Sequence, residues 1–420
     1  MRKGYYFFEI PESMRQSIFG WLCAGFAFSI PFKAIFNSIL VVLMVLYWLV
    51  FLPKKFASGS IRLLFVFSVL FWLGLIGIAF TQNLEEGWFR LQQKTLLVLI
   101  PLVILTVKTN PEWQRASFSS MVFGAATAGV FVLGVALQRG LTESTNRYFF
   151  SHDLVEPLDI YTYLFALLCV LAIVVLVEAP AGKIPLHARL LNRPVRWGLI
   201  AFFSALVFLL SVKQVIVVWA GVVAIYGLAH PATRLKKVTV AMLAVIMAAG
   251  IIVVNPTLRY KIQEVFLMDE NTIPLDQDAS LGRSWNGIAL RKAIWTCSAD
   301  VLSKHYLWGV GTGDVQDELQ HAYHHRQFYF ASQYNHFNAH NQYLQSWIAH
   351  GLVGLLAVLA MVFLPGYWTG RKSIFVIVGF CWLLCWLTES MLETNKGIVI
   401  FAFMSSWISA LYVHRDSTES

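Results

Sequence analysis

Residues 160–177 read IYTYLFALLCVLAIVVLV, and none of these side chains carries a formal charge. As a helix, a run of this length nearly spans the hydrocarbon core of a bilayer, which is about 30 Å thick. Apolar runs of about 15 to 25 residues, each suited to such a helix, recur from one end of the chain to the other. The sequence therefore predicts an all-α polytopic membrane protein.

The composition supports the same class of protein. The 420-residue chain is 58% hydrophobic and only 13% charged, whereas soluble domains carry roughly 25% charged residues. Its 15 Trp and 15 Tyr residues suit the aromatic belts that form at membrane–water interfaces. The net charge of +9 follows mainly from membrane topology, and it also suits an anionic lipid substrate. Membrane lipids are therefore predicted partners, and nucleic acids are not.

The apolar pattern predicts twelve transmembrane helices. They cover 17–32, 35–52, 62–80, 94–108, 118–137, 158–178, 197–211, 214–229, 239–256, 341–365, 374–388 and 397–413. Lys and Arg concentrate in the short loops on one side, for example at Arg189, Arg193 and Arg196, and cytoplasmic loops carry this excess. Both termini are therefore predicted to be cytoplasmic, with the long segment 257–340 on the outer side.

This topology predicts three parts of the chain. Residues 1–256 hold the first nine transmembrane helices, 257–340 form an outer loop subdomain, and 341–420 hold the last three helices and a cytoplasmic tail. Within the outer segment, residues 285–311 have helical periodicity and end at a cluster of glycines. Residues 323–337, YHHRQFYFASQYNHF, are rich in aromatics and histidine. We expect them either to gate a cleft or to pack as a loop.

A histidine stands where the tenth predicted helix begins, in the stretch NAHNQYLQSWIAHG at 338–351. Asn338 or Asn341 can cap that helix, because a short polar side chain accepts a hydrogen bond from a free backbone N–H. His340 would then share a helical face with the residues three, four and seven positions later, which are Tyr343, Leu344 and Trp347. A neutral imidazole there can accept a proton from a hydroxyl. The alternative is a capping or interfacial histidine, and His350 is expected to be a packed or polar-contact residue.

Several cations are predicted to lie on the outer side with His340. Lys213 falls between two closely spaced apolar runs, Arg291 and Arg283 lie in the outer segment, and Arg90 and Lys94 are one helical turn apart. If these side chains converge, they form an anion site in which an Arg fork suits phosphate. Taken singly, each cation is better explained as a solvated charge, and Lys213 is explained equally well as a side chain that extends to the interface.

Other motifs predict no cofactor or metal. GVGTGD at 309–314 lacks the Gly-Lys-Ser/Thr of a phosphate loop and a preceding strand, so it indicates a helix end followed by a turn. His321 and His325 have the spacing of metal ligands on a helix, but neither the zincin Glu nor a nearby Cys accompanies them. His152 is the histidine of the other large outer loop, and it is a candidate substrate contact together with Arg283 and Tyr343.

Four stretches together resemble the O-antigen ligase and polymerase superfamily: Arg291–Trp295, Gly309–Val315, Asn338–Gln345 and Gly351–Leu356. The resemblance implies a GT-C-like fold in the bacterial inner membrane. It implies transfer of a glycan from undecaprenyl diphosphate, without a metal, on the periplasmic side. In ligases the acceptor is lipid A–core oligosaccharide, and in polymerases it is another lipid-linked repeat.

The resemblance also implies residue roles. The essential histidine of the family falls on His340 and its loop arginine on Arg291, whereas Lys213 stands where the family usually has an arginine that can form a fork. His152, Arg90 and Lys94 match the family only loosely. We therefore expect His340 to act as general base in an inverting transfer, and Arg291, Lys213, Arg90 and Lys94 to bind the diphosphate. The alternatives are a polymerase, transfer to a protein acceptor, or a transporter of an anionic lipid or solute.

Overall fold

The computed structural model describes residues 11–52, 54, 57–107, 110–229, 255–266, 285, 287–370 and 372–413, and the regular structure within these ranges is helical throughout. The helices of the first half are α1 (Glu12–Ser29), α2 (Ala34–Phe51), α3 (Ser58–Ile78), α4 (Leu84–Lys94), α5 (Leu96–Leu105), α6 (Pro111–Glu143), α7 (Ser151–Val155), α8 (Thr162–Glu178), α9 (Ala188–Leu191), α10 (Arg193–Leu210) and α11 (Lys213–Ala229). Those of the second half are α12 (Pro256–Phe266), α13 (Gly287–His305), α14 (Val315–His325), α15 (Gln342–Trp368), α16 (Lys372–Trp386) and α17 (Asn395–Val413). Short 3-10 turns lie at Arg147–Phe149, Glu156–Leu158, Ala179–Ala181 and Met391–Glu393, and a π-helical turn lies at Phe330–Asn335.

The prediction of a polytopic all-α membrane protein is confirmed. Within the described ranges, eight helical segments are long and apolar enough to cross a membrane, and α11 and α16 are shorter apolar helices. The ninth predicted helix, 239–256, lies almost wholly outside the described residues. The total of twelve and the GT-C-like arrangement therefore stay predictions.

The fourth predicted helix begins ten residues too late. The structure has one apolar segment over Leu84–Leu105, made of α4 and α5. Asn83 caps its start by accepting a hydrogen bond from the backbone N–H of Glu86. The first turns of α4 are polar and do not fit the apolar pattern. Two of their cations are paired, Arg90 with Glu86 and Lys94 with Glu393.

The transmembrane core surrounds α8 and α17. The stretch that includes α8 is 83% buried, whereas the equally apolar α2 is 22% buried and leaves most of its side chains facing outward. α10 packs on α8, α17 packs on α5, and α1 packs on α6. Both α2 and α8 are apolar because the hydrocarbon environment requires it. Helix packing alone decides that α8 lies inside the bundle and that α2 lies at its surface.

A second, smaller core lies beside this bundle and is formed by α13, α14, the segment 328–339 and the start of α15. Its fully buried members include Ile294, Cys297, Leu319, Tyr323, Phe328 and Ile348. Tyr323 and Phe328 meet edge to face with ring centroids 5.7 Å apart, so this part of the aromatic segment is packed. Because Leu344 and Trp347 also join the smaller core, it crosses the predicted boundary between residues 340 and 341.

The long helix α15 is broken near its middle. His350 and Gly351 leave helical geometry, with φ values of −128° and +63°. Residues 307–311 lie across the break: Val310 N–H donates to the carbonyl of Ile348 at 2.8 Å, and Leu352 N–H donates to that of Leu307 at 3.2 Å. The backbone groups freed by the break are therefore satisfied from outside the helix.

Candidate active site

His340 lies just before α15 and not within it. Its backbone is left-handed, with φ of 42°, and its N–H donates to the side-chain oxygen of Asn338 at 2.9 Å. Asn341 caps α15 by accepting from the backbone N–H groups of Tyr343 and Leu344. The two asparagines of NAHN thus hold the backbone on both sides of the histidine. The imidazole is 27% exposed and meets the ring of Phe337 edge to face.

The predicted shared face of His340, Tyr343, Leu344 and Trp347 is wrong. A residue before the cap does not follow the helical repeat, so its side chain leaves in another direction. Within α15, Leu344 and Trp347 pack on the smaller core, while Tyr343 packs on the transmembrane core. The hydroxyl of Tyr343 donates to the carbonyl of Leu383 at 3.0 Å, inside the bundle.

The partner of His340 is Glu389, in the loop between α16 and α17. Glu389 Oε2 lies 3.5 Å from His340 Nδ1, and Glu389 Oε1 accepts from Arg291 Nη2 at 2.6 Å. Arg291 also donates from Nε to the carbonyl of Thr388 at 3.0 Å and from Nη1 to that of Gly287 at 3.1 Å. One carboxylate therefore connects the predicted base and the predicted loop arginine.

This geometry has a chemical consequence for His340. A carboxylate beside Nδ1 favours the tautomer that carries its proton on Nδ1, which leaves Nε2 as the proton acceptor. The separation of 3.5 Å is longer than a hydrogen bond, so Glu389 acts on the ring through its charge. The Glu389 side chain is 15% exposed, which limits screening by water.

Residues 388–394, here called the carboxylate loop, are fastened to the start of α15. Asn341 N–H donates to Ser390 Oγ at 3.2 Å, and Leu392 N–H donates to Gln342 Oε1 at 2.7 Å. Gln342 Nε2 also donates to Glu393 at 3.3 Å. The loop therefore positions Glu389 and Glu393 together. Sequence reasoning missed both, although TESMLET shows two Glu residues four positions apart between two apolar runs.

Lys94 pairs with the second of these carboxylates. Its Nζ lies 2.9 Å from Glu393 Oε2, and both side chains are almost fully buried. Burial raises the pKa of the Glu393 carboxyl, but the Lys94 ammonium, helped by Arg90 and Gln342, outweighs this and leaves the pKa below its ordinary value. Arg90 pairs with Glu86 at 2.7 Å, one turn earlier on α4, and this pair is partly exposed.

The other predicted site residues differ in their surroundings. Lys213 is the first residue of α11 and is partly buried, while His152 is exposed on α7. Arg283 lies outside the described residues. The structure thus brings together His340 and Arg291 through Glu389, and Arg90 and Lys94 beside Glu86 and Glu393. The roles assigned to all of these residues from the sequence stay predictions.

The GVGTGD segment (residues 309–314) is a turn after α13, as predicted, and it binds neighbouring helices through hydrogen bonds. Thr312 Oγ1 donates to the carbonyl of Gly74 at 2.7 Å, and the carboxylate of Asp314 accepts from the backbone N–H groups of Gln82 and Asn83. Gly311 N–H donates to the carbonyl of Ala349 at 3.0 Å. The segment thereby ties α3 and α4 to α15.

The part of the chain that supplies His340 and Arg291 matches a known protein family. Residues 197–359 match the family described as O-antigen ligase, and the matched region contains Lys213, Arg291 and His340. The match supports membership of the O-antigen ligase family. The carboxylate loop lies beyond the matched region, as do Arg90 and Lys94. No curated protein matches the chain.

Proposed function

We propose that this protein transfers a glycan from undecaprenyl diphosphate to lipid A–core oligosaccharide at the periplasmic face of the bacterial inner membrane. The match to the O-antigen ligase family supports a transferase of this type. The observation that carries the proposal is the position of Glu389, which binds Arg291 and lies beside Nδ1 of His340. A polarised imidazole next to a guanidinium suits a reaction that needs a base and a stabilised anionic leaving group.

In the proposed step, the acceptor oxygen forms a bond to the anomeric carbon of the donor while the bond from that carbon to the diphosphate oxygen breaks. His340 Nε2 takes the hydroxyl proton, and the electron pair of the broken bond leaves on the lipid diphosphate. Attack from the face opposite the diphosphate inverts the anomeric configuration. Glu389 stabilises the imidazolium that forms, and no metal takes part.

The leaving group requires positive charge where it departs. Among the described contacts, Arg291 uses three of the five N–H groups of its guanidinium, which leaves two for phosphate oxygens. We assign Arg291 and Lys213 to the diphosphate. The predicted contribution of Arg90 and Lys94 to the same anion is reduced by Glu86 and Glu393, the carboxylates that pair with them.

The test is glycan transfer by purified protein in lipid nanodiscs, with lipid-linked glycan and lipid A–core as substrates. His340→Ala should lower the turnover number by about 10²- to 10⁴-fold, the usual contribution of a general base. His325→Ala is the matched control, because His325 is exposed on α14. Transfer at the wild-type rate by a folded His340→Ala protein would remove this residue from the mechanism.

A polymerase is the second candidate, because the family match supports that type of reaction too. The two activities differ in the acceptor, so incubation with the lipid-linked donor alone separates them. We expect no product from the donor alone, and transfer of the glycan to lipid A–core once this acceptor is added. Growth of the glycan on its own carrier would establish a polymerase instead, and NMR of the product linkage would report inversion in either case.

A further inference from the structure

Three consecutive large side chains are exposed in the segment that joins α13 to α14. Tyr306 is 59% exposed, Leu307 43% and Trp308 81%. They belong to the segment 257–340, which the sequence predicts to lie outside the membrane. Neighbouring apolar side chains with this much exposure indicate a surface that meets a partner.

The backbone of this segment is held against the break in α15. Trp347 Nε1 donates to the carbonyl of Tyr306 at 2.8 Å, and Leu352 N–H donates to that of Leu307 at 3.2 Å. Gly351, with φ of +63°, allows this close approach, because a Cβ there would collide with the carbonyl of Leu307. The break therefore fixes the level at which the three exposed side chains lie.

The second part of α15 relates that level to the bilayer. Before the break the side chains of the helix include glutamine, serine and histidine, whereas residues 352–364 are apolar throughout. From Leu352 to Trp368 an α-helix rises about 26 Å, close to the hydrocarbon thickness of about 30 Å. Leu352 is thereby assigned to one edge of the hydrocarbon core, and residues 306–308 lie beside it.

The helix α3 gives the same level independently. It has 21 residues and rises about 32 Å, so its last turns reach the same edge. Thr312 Oγ1 donates to the carbonyl of Gly74 at 2.7 Å, and Gly313 N–H donates to Thr81 Oγ1 at 3.1 Å. The chain that follows Trp308 therefore lies against the end of α3.

Basic residues mark the opposite edge. Arg62 lies in the first turns of α3, and Arg371 and Lys372 follow α15. Cytoplasmic loops carry such an excess of Lys and Arg. On the predicted topology, the edge beside residues 306–308 is therefore the outer one.

The chemistry of this segment suits a membrane–water interface. Tyrosine and tryptophan combine an apolar ring with a polar group, and both residue types are enriched at this level of a bilayer. The exposed Lys304 precedes them, and a lysine can extend its ammonium to lipid phosphates while its stem stays among apolar groups.

We propose that residues 304–308, here called the outer anchor, insert into the outer membrane–water interface. Leu307 and the ring of Trp308 contact acyl chains, and Tyr306 and Lys304 reach the lipid headgroups. This assignment is independent of the proposed function.

Continuity with α15 favours lipid over a protein partner. Val353 and Leu356 are 51% and 54% exposed at the start of the apolar part of α15. The hydrogen bond between Leu352 and Leu307 joins the outer anchor to this exposed apolar surface. A bilayer covers both surfaces together, because they form one apolar face of a chain that crosses it.

The outer anchor also bears on the position of Arg291. Arg291 lies at the other end of α13, where it binds Glu389. The helix is then held at one end by an ion pair and at the other end by the bilayer.

The test is the depth of a nitroxide at position 308, measured by electron paramagnetic resonance in nanodiscs of phosphatidylethanolamine and phosphatidylglycerol. Trp308→Cys carries the label, and the five native cysteines are buried and therefore shielded from it. Collision with oxygen reports lipid, and collision with a water-soluble nickel chelate reports water. Val353→Cys is the lipid reference. Thr142→Cys is the water reference, because α6 rises about 50 Å and ends beyond the hydrocarbon core.

The oxygen-to-nickel collision ratio at position 308 should exceed that at position 142 several-fold and approach that at position 353. Leu307→Cys should give the same result, and it replaces Trp308→Cys if the gel-filtration profile of that variant is abnormal. A ratio equal to that of the water reference would overturn the proposal. Low collision with both reagents would overturn it too, because protein would then cover the segment. The measurement needs no substrate, so it decides the proposal whether or not the protein transfers glycan.

Discussion

Glu389 Oε2 lies 3.5 Å from Nδ1 of His340, although α15 and α16 separate the two residues along the chain. The same carboxylate binds Arg291, which comes from a third part of the chain. The contact therefore exists only when α13, the start of α15 and the carboxylate loop are assembled. Its main consequence is the tautomer of His340, which leaves Nε2 as the proton acceptor in the proposed glycan transfer.

Glu389→Gln should lower the turnover number about 10- to 100-fold, the usual cost of losing the group that orients a functional histidine. The apparent KM for the donor should change little, because the amide keeps the shape of the side chain. The measurement is steady-state transfer in nanodiscs, with Glu85→Gln as control. Wild-type turnover in the variant would show that Glu389 serves only to hold Arg291.

Arg291→Lys should lower both stability and transfer. A lysine can reach Glu389, but one ammonium cannot reproduce the three planar contacts to Glu389, Thr388 and Gly287. The expected loss of unfolding free energy is about 1 to 3 kcal/mol. Thermal unfolding in nanodiscs measures it, and Lys292→Arg at the exposed neighbouring position is the control. An unchanged turnover number in this variant would argue against a guanidinium fork on phosphate.

The Lys94–Glu393 pair should show non-additive effects on stability. Lys94→Met leaves a buried carboxylate without its counter-charge, which costs about 3 to 5 kcal/mol. Glu393→Leu should be similarly harmful alone, and the double variant Lys94→Met/Glu393→Leu should recover most of the loss. Thermal unfolding of wild type, the two single variants and the double variant completes this double-mutant cycle. Additive losses would mean that each residue has an independent partner of greater importance.

Stability should also depend on pH through Glu393. Its pKa in the folded protein is below the ordinary value, mainly because the Lys94 ammonium offsets the opposing effect of burial. The unfolded chain therefore binds the proton first, and the stabilisation is complete above about pH 4.3 and lost as the pH falls through the folded value. Unfolding between about pH 3 and pH 6 should show a steeper acid loss for wild type than for Glu393→Gln. Equal slopes would exclude Glu393 as a source of acid sensitivity.

The positions of most helices could be predicted from their apolar runs, because a lipid-exposed backbone must satisfy its hydrogen bonds within the helix. The apolar pattern does not predict the start of α4, because Arg90 and Lys94 make residues 84–94 too polar for a transmembrane helix. Its charges are acceptable there since Glu86 and Glu393 pair with them. The prediction from helical spacing failed at His340 for a local reason, namely its left-handed backbone before the cap of Asn341.

The sequence by itself determined that residues 160–177 form an apolar helix, but not whether that helix is buried or faces lipid. Through the family resemblance it also indicated His340 and Arg291 as candidate site residues. It did not determine which carboxylates meet them. Ion pairs between distant segments leave no periodic signal, because their energy arises only when folding removes both partners from water. Tertiary structure alone decided that α8 lies inside the bundle and that Glu389 faces His340. It also decided that α15 is broken at His350 and Gly351.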